Sequence, residues 1–540
     1  MRIALISAYN DRCYGLRCIA SYLRRRGHEV WLLCFKCFQS VLVPRENREA
    51  WNSALSATYP PITESWEEGT MLVPYIHPST EQEWQLFLDK LSAIRPDLIG
   101  LTVATSSYEA SCEATRRIRR LLPGVPIIWG GIHATICPEE CLQNVDMVCV
   151  GEGEEAMAEL AADPERTDIV GIWRRRNGQI IRTPFRPLEQ DLDRFPFASY
   201  GESEWLFEKD QATELTVADK TYFQPIYLSL SQRGCPFLCT YCAHHTIRPR
   251  YRGERYVRRR SVDHVLDECA RRVRDFGLPT IIFFDDIFVM NRKWIEEFVE
   301  KYPKRVGVPF GAYAHPFVSN EAMLRQLKQA GMIFVGIGIQ TGSDYVSREI
   351  YGRNHGGEEI LQLAQAAERN GLILCYDILS NNPYESEADC LDTLRLLTRM
   401  PKPYSVVVKK VIFYPGSRIS KLDKPRPNLP ETTFEFWNQL YLISRHHLIP
   451  AEHLLALGQD EYLKANPQIM RSIALGLKRM VEAQNAGRAE VDRLLTEERQ
   501  VTVRGFLRYT KRLIMSWLPK PIAEALRALK RRLRPTSASR

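Results

Sequence analysis

Three cysteines close together carry the clearest chemical signal in the chain: Cys235-Pro-Phe-Leu-Cys239-Thr-Tyr-Cys242. Intervals of three and then two residues let one loop present thiolates to three corners of a cubane iron–sulfur cluster. No fourth cysteine follows closely, so one iron is left without a protein ligand and stays open to a small molecule. An electron-transfer cluster of the ferredoxin kind is normally closed by a fourth cysteine. Zinc is the competing occupant. It favours four Cys or His ligands, and His244 and His245 follow directly.

A loop of this kind needs a strand to deliver it. Residues 225–231 read as a strand running into the cysteines. Helices are predicted over 262–276, 294–302, 320–330, 357–370 and 387–398, and further strands over 280–284, 310–314, 334–339, 372–379 and 405–413. Six strands alternating with helices predict a parallel sheet. In such sheets chemistry gathers at the carboxyl ends of the strands, where the cysteine loop falls.

The C-x3-C-x2-C spacing, the aromatic Tyr241 before the last cysteine, and Arg233-Gly234 and Pro236 around it resemble the radical S-adenosylmethionine (SAM) enzymes. The likeness runs over residues 223–420. It implies a partial (β/α)6 barrel, a [4Fe-4S] cluster on Cys235, Cys239 and Cys242, SAM at the open iron, and an external electron donor of flavodoxin or ferredoxin type. It also implies cofactor contacts at Tyr241, at Asp285 and Asp286 after the second strand, and at Gln340 after the fourth. A carboxylate is the natural partner for the SAM ammonium, although Asp285-Asp286 also suits an Asx turn capping the next helix. Relatives have Glu where this chain has Gln340; an amide can still bond a ribose hydroxyl. Residues 376–385 and 413–417 resemble the family's exits from its fifth and sixth strands.

Residues 1–165 form a second α/β unit. Strand 3–7 precedes a helical repeat (Leu16, Ile19, Ala20, Leu23) that stops at Gly27 and hands over to strand 30–34. Strands at 97–103 and 126–130 follow, then Gly130-Gly131-Ile-His133 and Val148-Cys-Val-Gly-Glu-Gly-Glu154. The order resembles the cobalamin-binding domain found before many radical SAM barrels; the plain alternative is a generic Rossmann-like unit. Thr102, Thr105 and Ser106 are candidates for its nucleotide tail, Gly130 and Gly131 for close backbone approach, and His133 for the corrin edge. Cobalamin proteins with a lower axial histidine carry D-x-H-x-x-G after the first strand. Here those positions read Asn10-Asp11-Arg12-Cys13-Tyr14-Gly15, with Arg12 in place of the histidine. Cys34-x-x-Cys37 is read as inert.

Residues 166–222 read as a connector and 421–540 as a helical region ending in a basic tail. The fold class is therefore α/β: a doubly wound cobalamin-binding domain, a partial (β/α)6 radical SAM barrel and a helical C-terminal region. Fourteen scattered cysteines and an N-terminus that enters a strand at once predict a reducing, cytoplasmic setting. No apolar run is long enough to span a bilayer, and no nucleic-acid motif is present. From Val501 onward, eleven Lys and Arg face one acid, Glu524, so the tail carries +10 of a chain total of +8 and the rest sums to −2. Its apolar residues (Phe506, Leu513, Trp517) interleave with cations, and Pro519 and Pro521 predict two short helices. Such a segment either lies on an anionic membrane or packs on the barrel. The implied function is reductive cleavage of SAM to a 5′-deoxyadenosyl radical and C-methylation of an unactivated carbon of a small-molecule or lipid substrate. Radical cyclisation or rearrangement, and a non-catalytic cobalamin or iron–sulfur regulator, are the alternatives. No side chain is singled out as catalytic.

Overall fold

A computed structural model describes residues 1–8, 13–35, 39–42, 63–67, 70–75, 79–176, 178–208, 210–217, 226–278, 280–445, 449–470 and 473. In chain order its strands are β1 (Arg2–Ala8), β2 (Glu29–Phe35), β3 (Gln39–Leu42), β4 (Thr63–Glu67), β5 (Thr70–Tyr75), β6 (Leu98–Thr102), β7 (Ile127–Gly130), β8 (Met147–Cys149), β9 (Ile172–Arg176), β10 (Gln179–Ile181), β11 (Glu204–Glu208), β12 (Gln211–Leu215), β13 (Ile226–Ser229), β14 (Gln232–Arg233), β15 (Arg258–Arg259), β16 (Thr280–Phe283), β17 (Phe310–Ala314), β18 (Met332–Gln340), β19 (Ile373–Ser380) and β20 (Tyr404–Lys410). They form two nine-stranded sheets and the small β14–β15 pair.

The first sheet runs β10-β9-β8-β7-β6-β1-β2-β11-β12. β1 lies well inside it, next to the middle strand β6, and its apolar run is covered on both sides, as expected for an interior parallel strand. Ile3 and Leu5 enter the core under the helix Tyr14–Arg25, through Leu16, Ala20 and Leu23. Ala4 and Ile6 enter the core under the helix Glu81–Ile94, through Trp84, Phe87 and Leu91. Between β1 and β6 the strand order reverses, which opens a crevice at the carboxyl ends.

Residues 166–222, expected to be a connector, instead widen this sheet: β9 and β10 add to one edge, β11 and β12 to the other. A buried ion pair holds the second addition. The Arg17 guanidinium donates to Glu204 and to the Ser199 carbonyl, and neither charged side chain is more than 1% exposed.

The second sheet places β13-β16-β17-β18-β19-β20 side by side and parallel, the predicted six-stranded partial barrel. The helix predicted at 262–276 is Val262–Phe276. Ser261 Oγ caps it by accepting from the His264 N–H at 3.2 Å, and Gly277 ends it in the left-handed conformation. Alternation decides what faces the lumen. Phe310, Ala312, Ala314, Val335, Ile337, Ile339, Leu374, Tyr376, Ile378, Val406 and Val408 all join the core beneath the helices. Their strand neighbours, including Tyr313, Gly336, Gly338, Asp377 and Lys409, therefore point inward.

Two boundaries differ from expectation. The last barrel strand stops at Lys410 rather than residue 413. A hairpin from the first 165 residues joins the barrel's sheet: β4 pairs antiparallel with β20 at Val408↔Glu64, and β5 and β3 follow outward. The helices Glu431–Ser444, Ala451–Leu457 and Glu461–Ala465 share the barrel's core through Phe434, Trp437, Leu440, Leu454 and Leu463. Arg12, Cys37 and the basic tail lie outside the described residues.

Candidate active site at the barrel mouth

The cysteine loop leaves β13 on a braced turn. Asp285 Oδ1 accepts from the backbone N–H groups of Ser231 and Gln232 at 2.8 and 2.7 Å, and Oδ2 accepts from Ser231 Oγ at 3.0 Å. Arg259 donates to the same hydroxyl at 3.0 Å and lies 4.0 Å over the Trp294 ring. Gly234 then turns the chain at φ 87°, where any Cβ would overlap the Tyr256 carbonyl. Cys242 N–H donates to the Cys239 carbonyl at 3.0 Å, and Thr240 N–H to the Tyr351 carbonyl at 2.9 Å. Tyr241 sets its ring edge against Tyr351 at 4.8 Å.

Burial pushes the thiol of Cys235 up to about 12 and that of Cys242 up to about 11. A cation must therefore take the thiolates, and bound iron does so outright. Zinc would draw its ligand sulfurs to about 3.8 Å from one another, as its 2.3 Å bonds and tetrahedral angle require. Among the described residues, only His133, Cys137 and Glu140 bring three ligand atoms within 4.8 Å of one another, so the loop cysteines stand wider than that. His244 is committed elsewhere, with Nδ1 2.8 Å from the Tyr256 hydroxyl and Nε2 3.0 Å from Asp286. The loop offers three thiolates to a cubane, and His244, held by Tyr256 and Asp286, is not free to complete a zinc shell.

The acidic pair divides. Asp285 is 2% exposed and its oxygens are taken up in bracing the turn. Asp286 remains half-exposed beside His244, close enough for its charge to raise the thiols of Cys235 and Cys242. Gln340 ends β18 at φ 67°, past an irregularity in the pairing with β19, and its amide folds over Gly338. Arg353, 7% exposed, donates to the carbonyls of Gly338 and Ile339 at 2.8 and 2.7 Å.

Sequence reasoning missed what lies alongside. His315, at the end of β17, stacks on Phe237 of the cysteine loop at 4.3 Å, and its ring meets that of His355 at 4.8 Å. Burial, then Arg353, pushes His315 down to about 4 and His355 down to about 3. Both rings are neutral at neutral pH. Strand parity alone would have placed Tyr313 and His315 on the lumen side.

The crevice of the first sheet holds a cavity of about 340 Å³. Thr102, Gly130 and Gly131 line it together with Tyr14, Cys18, Gly151 and Gly153 from their own domain, and Gln232, Arg233 and Arg260 from the barrel. Its walls are cut back by glycine. At Gly131 (φ 94°) a Cβ would stand 2.9 Å from the Val103 carbonyl, and at Gly153 it would stand 2.9 Å from Ile19. The space suits the nucleotide appendage of a corrinoid rather than the whole macrocycle. His133 does not line it. Its ring is buried against Tyr108 at 4.7 Å, Nδ1 is 3.2 Å from Thr105 Oγ1, and Nε2 is 3.6 Å from Glu140.

One arginine ties cavity and cysteine loop together. Arg233, two residues before Cys235, pairs with Glu154 and, at 3.1 Å, with Glu152. Glu152 also takes the Arg258 guanidinium. Burial opposes the Arg233 charge, but Glu154 and Glu152 outweigh it and hold its proton more tightly than usual.

Residues 229–397 match the family model of the Radical SAM superfamily, and residues 72–161 match that of the B12 binding domain. An uncharacterized methyltransferase of Pyrococcus horikoshii is 25% identical over 60% of this chain and 68% of its own. The anaerobic magnesium-protoporphyrin IX monomethyl ester cyclase of Rubrivivax gelatinosus is 26% identical over 48% of this chain and 47% of its own. The chain thus spans about two thirds of the first relative's length and about half of the second's. The solved radical SAM methyltransferase TsrM of Kitasatospora setae, described with cobalamin and a [4Fe-4S] cluster bound, superposes with a TM-score of 0.57. That match has 16% identity over 77% of each chain, which is a likeness of fold. Two family models side by side, the three-thiolate loop and the glycine-walled crevice place this chain among the cobalamin-binding radical SAM enzymes, with a [4Fe-4S] cluster, SAM and cobalamin as its cofactors.

Proposed function

We propose that the protein transfers a methyl group to an unactivated carbon of a small molecule. The observation that carries this reading is the Arg233 bridge, which ties the crevice of the first sheet to the start of the cysteine loop. Bound there, the cluster with SAM supplies hydrogen abstraction, and cobalamin supplies the methyl group. The chain's own residues then position and exclude. Cys235, Cys239 and Cys242 would hold three irons of the cluster and leave the fourth for SAM. Asp286 takes the SAM ammonium, Gln340 a ribose hydroxyl, and Tyr241 with Tyr351 walls the cluster from water. Asp285, already saturated, holds the loop in place for them. Thr102, Gly130 and Gly131 receive the corrinoid's tail, and His133 buttresses that wall from behind through Thr105.

An outside reductant of flavodoxin or ferredoxin type would approach the exposed side of the loop, where Leu238 is 43% exposed. No helix among the described residues is long and apolar enough to cross a membrane. Membrane contact would fall to the basic tail, each cation adding about 1 kcal/mol near an anionic surface.

The test is anaerobic turnover of reconstituted protein with SAM labelled in its methyl group, strong reductant and a small-molecule extract. Methyl transfer predicts label in an organic product together with 5′-deoxyadenosine. Release of 5′-deoxyadenosine alongside an unlabelled ring-closed product would replace methylation by cyclisation.

A further inference from the structure

Inside the barrel, below the cysteine loop, three polar side chains from different strands meet. Lys409 Nζ of β20 stands 3.1 Å from Asp377 Oδ1 of β19, and Tyr313 of β17 reaches across the intervening β18 toward Asp377, near enough that, after burial, the carboxylate raises its hydroxyl further. Glycine makes that reach possible. A Cβ on Gly336 would stand 2.6–2.9 Å from the Tyr313 ring. Phe284, at the end of β16 and 51% exposed, sets its ring edge-on to Tyr313 at 5.8 Å and forms an apolar rim.

The fold has no need of this arrangement. The positions above and below it are apolar (Ile282, Phe334) or glycine (Gly311, Gly338), and well-packed hydrophobic residues usually serve a protein interior at least as well as a partly buried ion pair. A few placed polar groups on an otherwise apolar concave wall are what a ligand site needs to orient its occupant.

Its polarity is directional. Asp377 is 11% exposed in its side chain and is held by Lys409, whereas Lys409 is 39% exposed. The ammonium has three donors, and one is used on Asp377. The other two have no hydrogen-bond partner among the described residues, and strand parity turns the side chain toward the lumen. Lys410, the next residue, points the other way and pairs with Glu431 at 3.1 Å.

We propose that Tyr313, Asp377 and Lys409 are the acceptor-recognition site of the barrel and that the acceptor carries an oxyanion, a carboxylate or a phosphate, which Lys409 binds. The proposal rests on the methyl-transfer reading for the word acceptor, but its geometry does not. A cationic acceptor would meet the ammonium first and find Asp377 engaged. Phe284 and Tyr313 offer flat apolar surface to whatever the anion is attached to.

Reductive methylation of lysines in the reconstituted full chain, followed by peptide mass spectrometry, tests it with Lys410 as the internal control. The probes are benzoate and phenyl phosphate, which present the two oxyanions on one ring, against benzyl alcohol and benzylamine. Either anion, at about twice its dissociation constant, is expected to slow modification of Lys409 about threefold and to leave Lys410 unchanged. Protection by phosphate alone or carboxylate alone would name the group. If neither anion protects Lys409, or benzylamine and benzyl alcohol protect it equally, the assignment is overturned. The labelling reads the lumen whether or not a methyl group is transferred, so this result and the turnover test can fail separately.

Discussion

Replacing Arg233 by Met removes a side chain that spans cavity and cysteine loop, and the structure sets how much that should matter. Removing one partner of a buried ion pair costs about 3–5 kcal/mol, because the other charge is left buried and unpaired. Here the loss is unequal. Glu152 keeps Arg258 and is 27% exposed, whereas Glu154 is 5% exposed and its only ion pair among the described residues is with Arg233. The penalty falls on Glu154, and the low end applies, about 3 kcal/mol.

Amide hydrogen exchange reads this locally, at Val150 N–H (to the Gly171 carbonyl), Gly151 N–H (to Thr135 Oγ1) and Gln232 N–H (to Asp285). At 1.36 kcal/mol per decade, these amides should exchange about 150-fold faster in Arg233→Met. Adding Glu154→Gln removes the stranded charge and should return the loop to within about 1 kcal/mol of wild type. Exchange in Arg233→Met within about threefold of wild type, or a double variant no slower than the single one, would refute the bridge as a structural coupling.

Each of Cys235→Ala, Cys239→Ala and Cys242→Ala should abolish the cluster, which in the wild type binds about four iron and four sulfide per chain; iron and sulfide assay with the visible spectrum checks this, and zinc without iron in protein prepared without air would contradict it. Gly131→Ala forces a Cβ to 2.9 Å from the Val103 carbonyl at a φ of 94°, so the ends of β6 and β7 must part; a strain of about 1–3 kcal/mol and loss of cobalamin co-elution on gel filtration are expected. His355, whose ring burial pushes down to about 3, is neutral when folded and takes a proton once unfolded below about pH 6.5. The unfolded chain then binds more protons, so stability falls as pH drops from 6.5 toward 3, by up to about 1.4 kcal/mol per pH unit; His355→Gln should flatten the acid limb of a urea-midpoint series, and an unchanged slope would count against a neutral buried ring.

The legible part of this protein was local. The three cluster cysteines lie within eight consecutive residues, so their spacing alone constrains what they can ligate. The helix Val262–Phe276 announces both ends, with Ser261 at its start and Gly277 at its stop, because capping groups act over three or four residues. The alternation of β-strands likewise carries parity, and parity is enough to send Tyr313, Asp377 and Lys409 inward.

What the sequence left open depended on residues distant along the chain. Asp285 read as a ligand for an ammonium, and only the meeting of β13 and β16 shows it bracing Ser231, fifty-four positions away. His133 read as a corrin contact from its place after Gly130-Gly131, and only packing shows its ring buried against Tyr108 with Nδ1 beside Thr105. Residues 166–222 carry no local sign that β11 will pair with β2, since that pairing is decided by the buried contact of Arg17 with Glu204. The sequence by itself determined which chemistry the chain can hold, because ligand type and close spacing are properties of neighbours. The tertiary structure alone decided that Gln232 and Arg233, at the start of the cysteine loop, line the crevice of the first sheet, because strand order and register bring together groups that no local pattern connects.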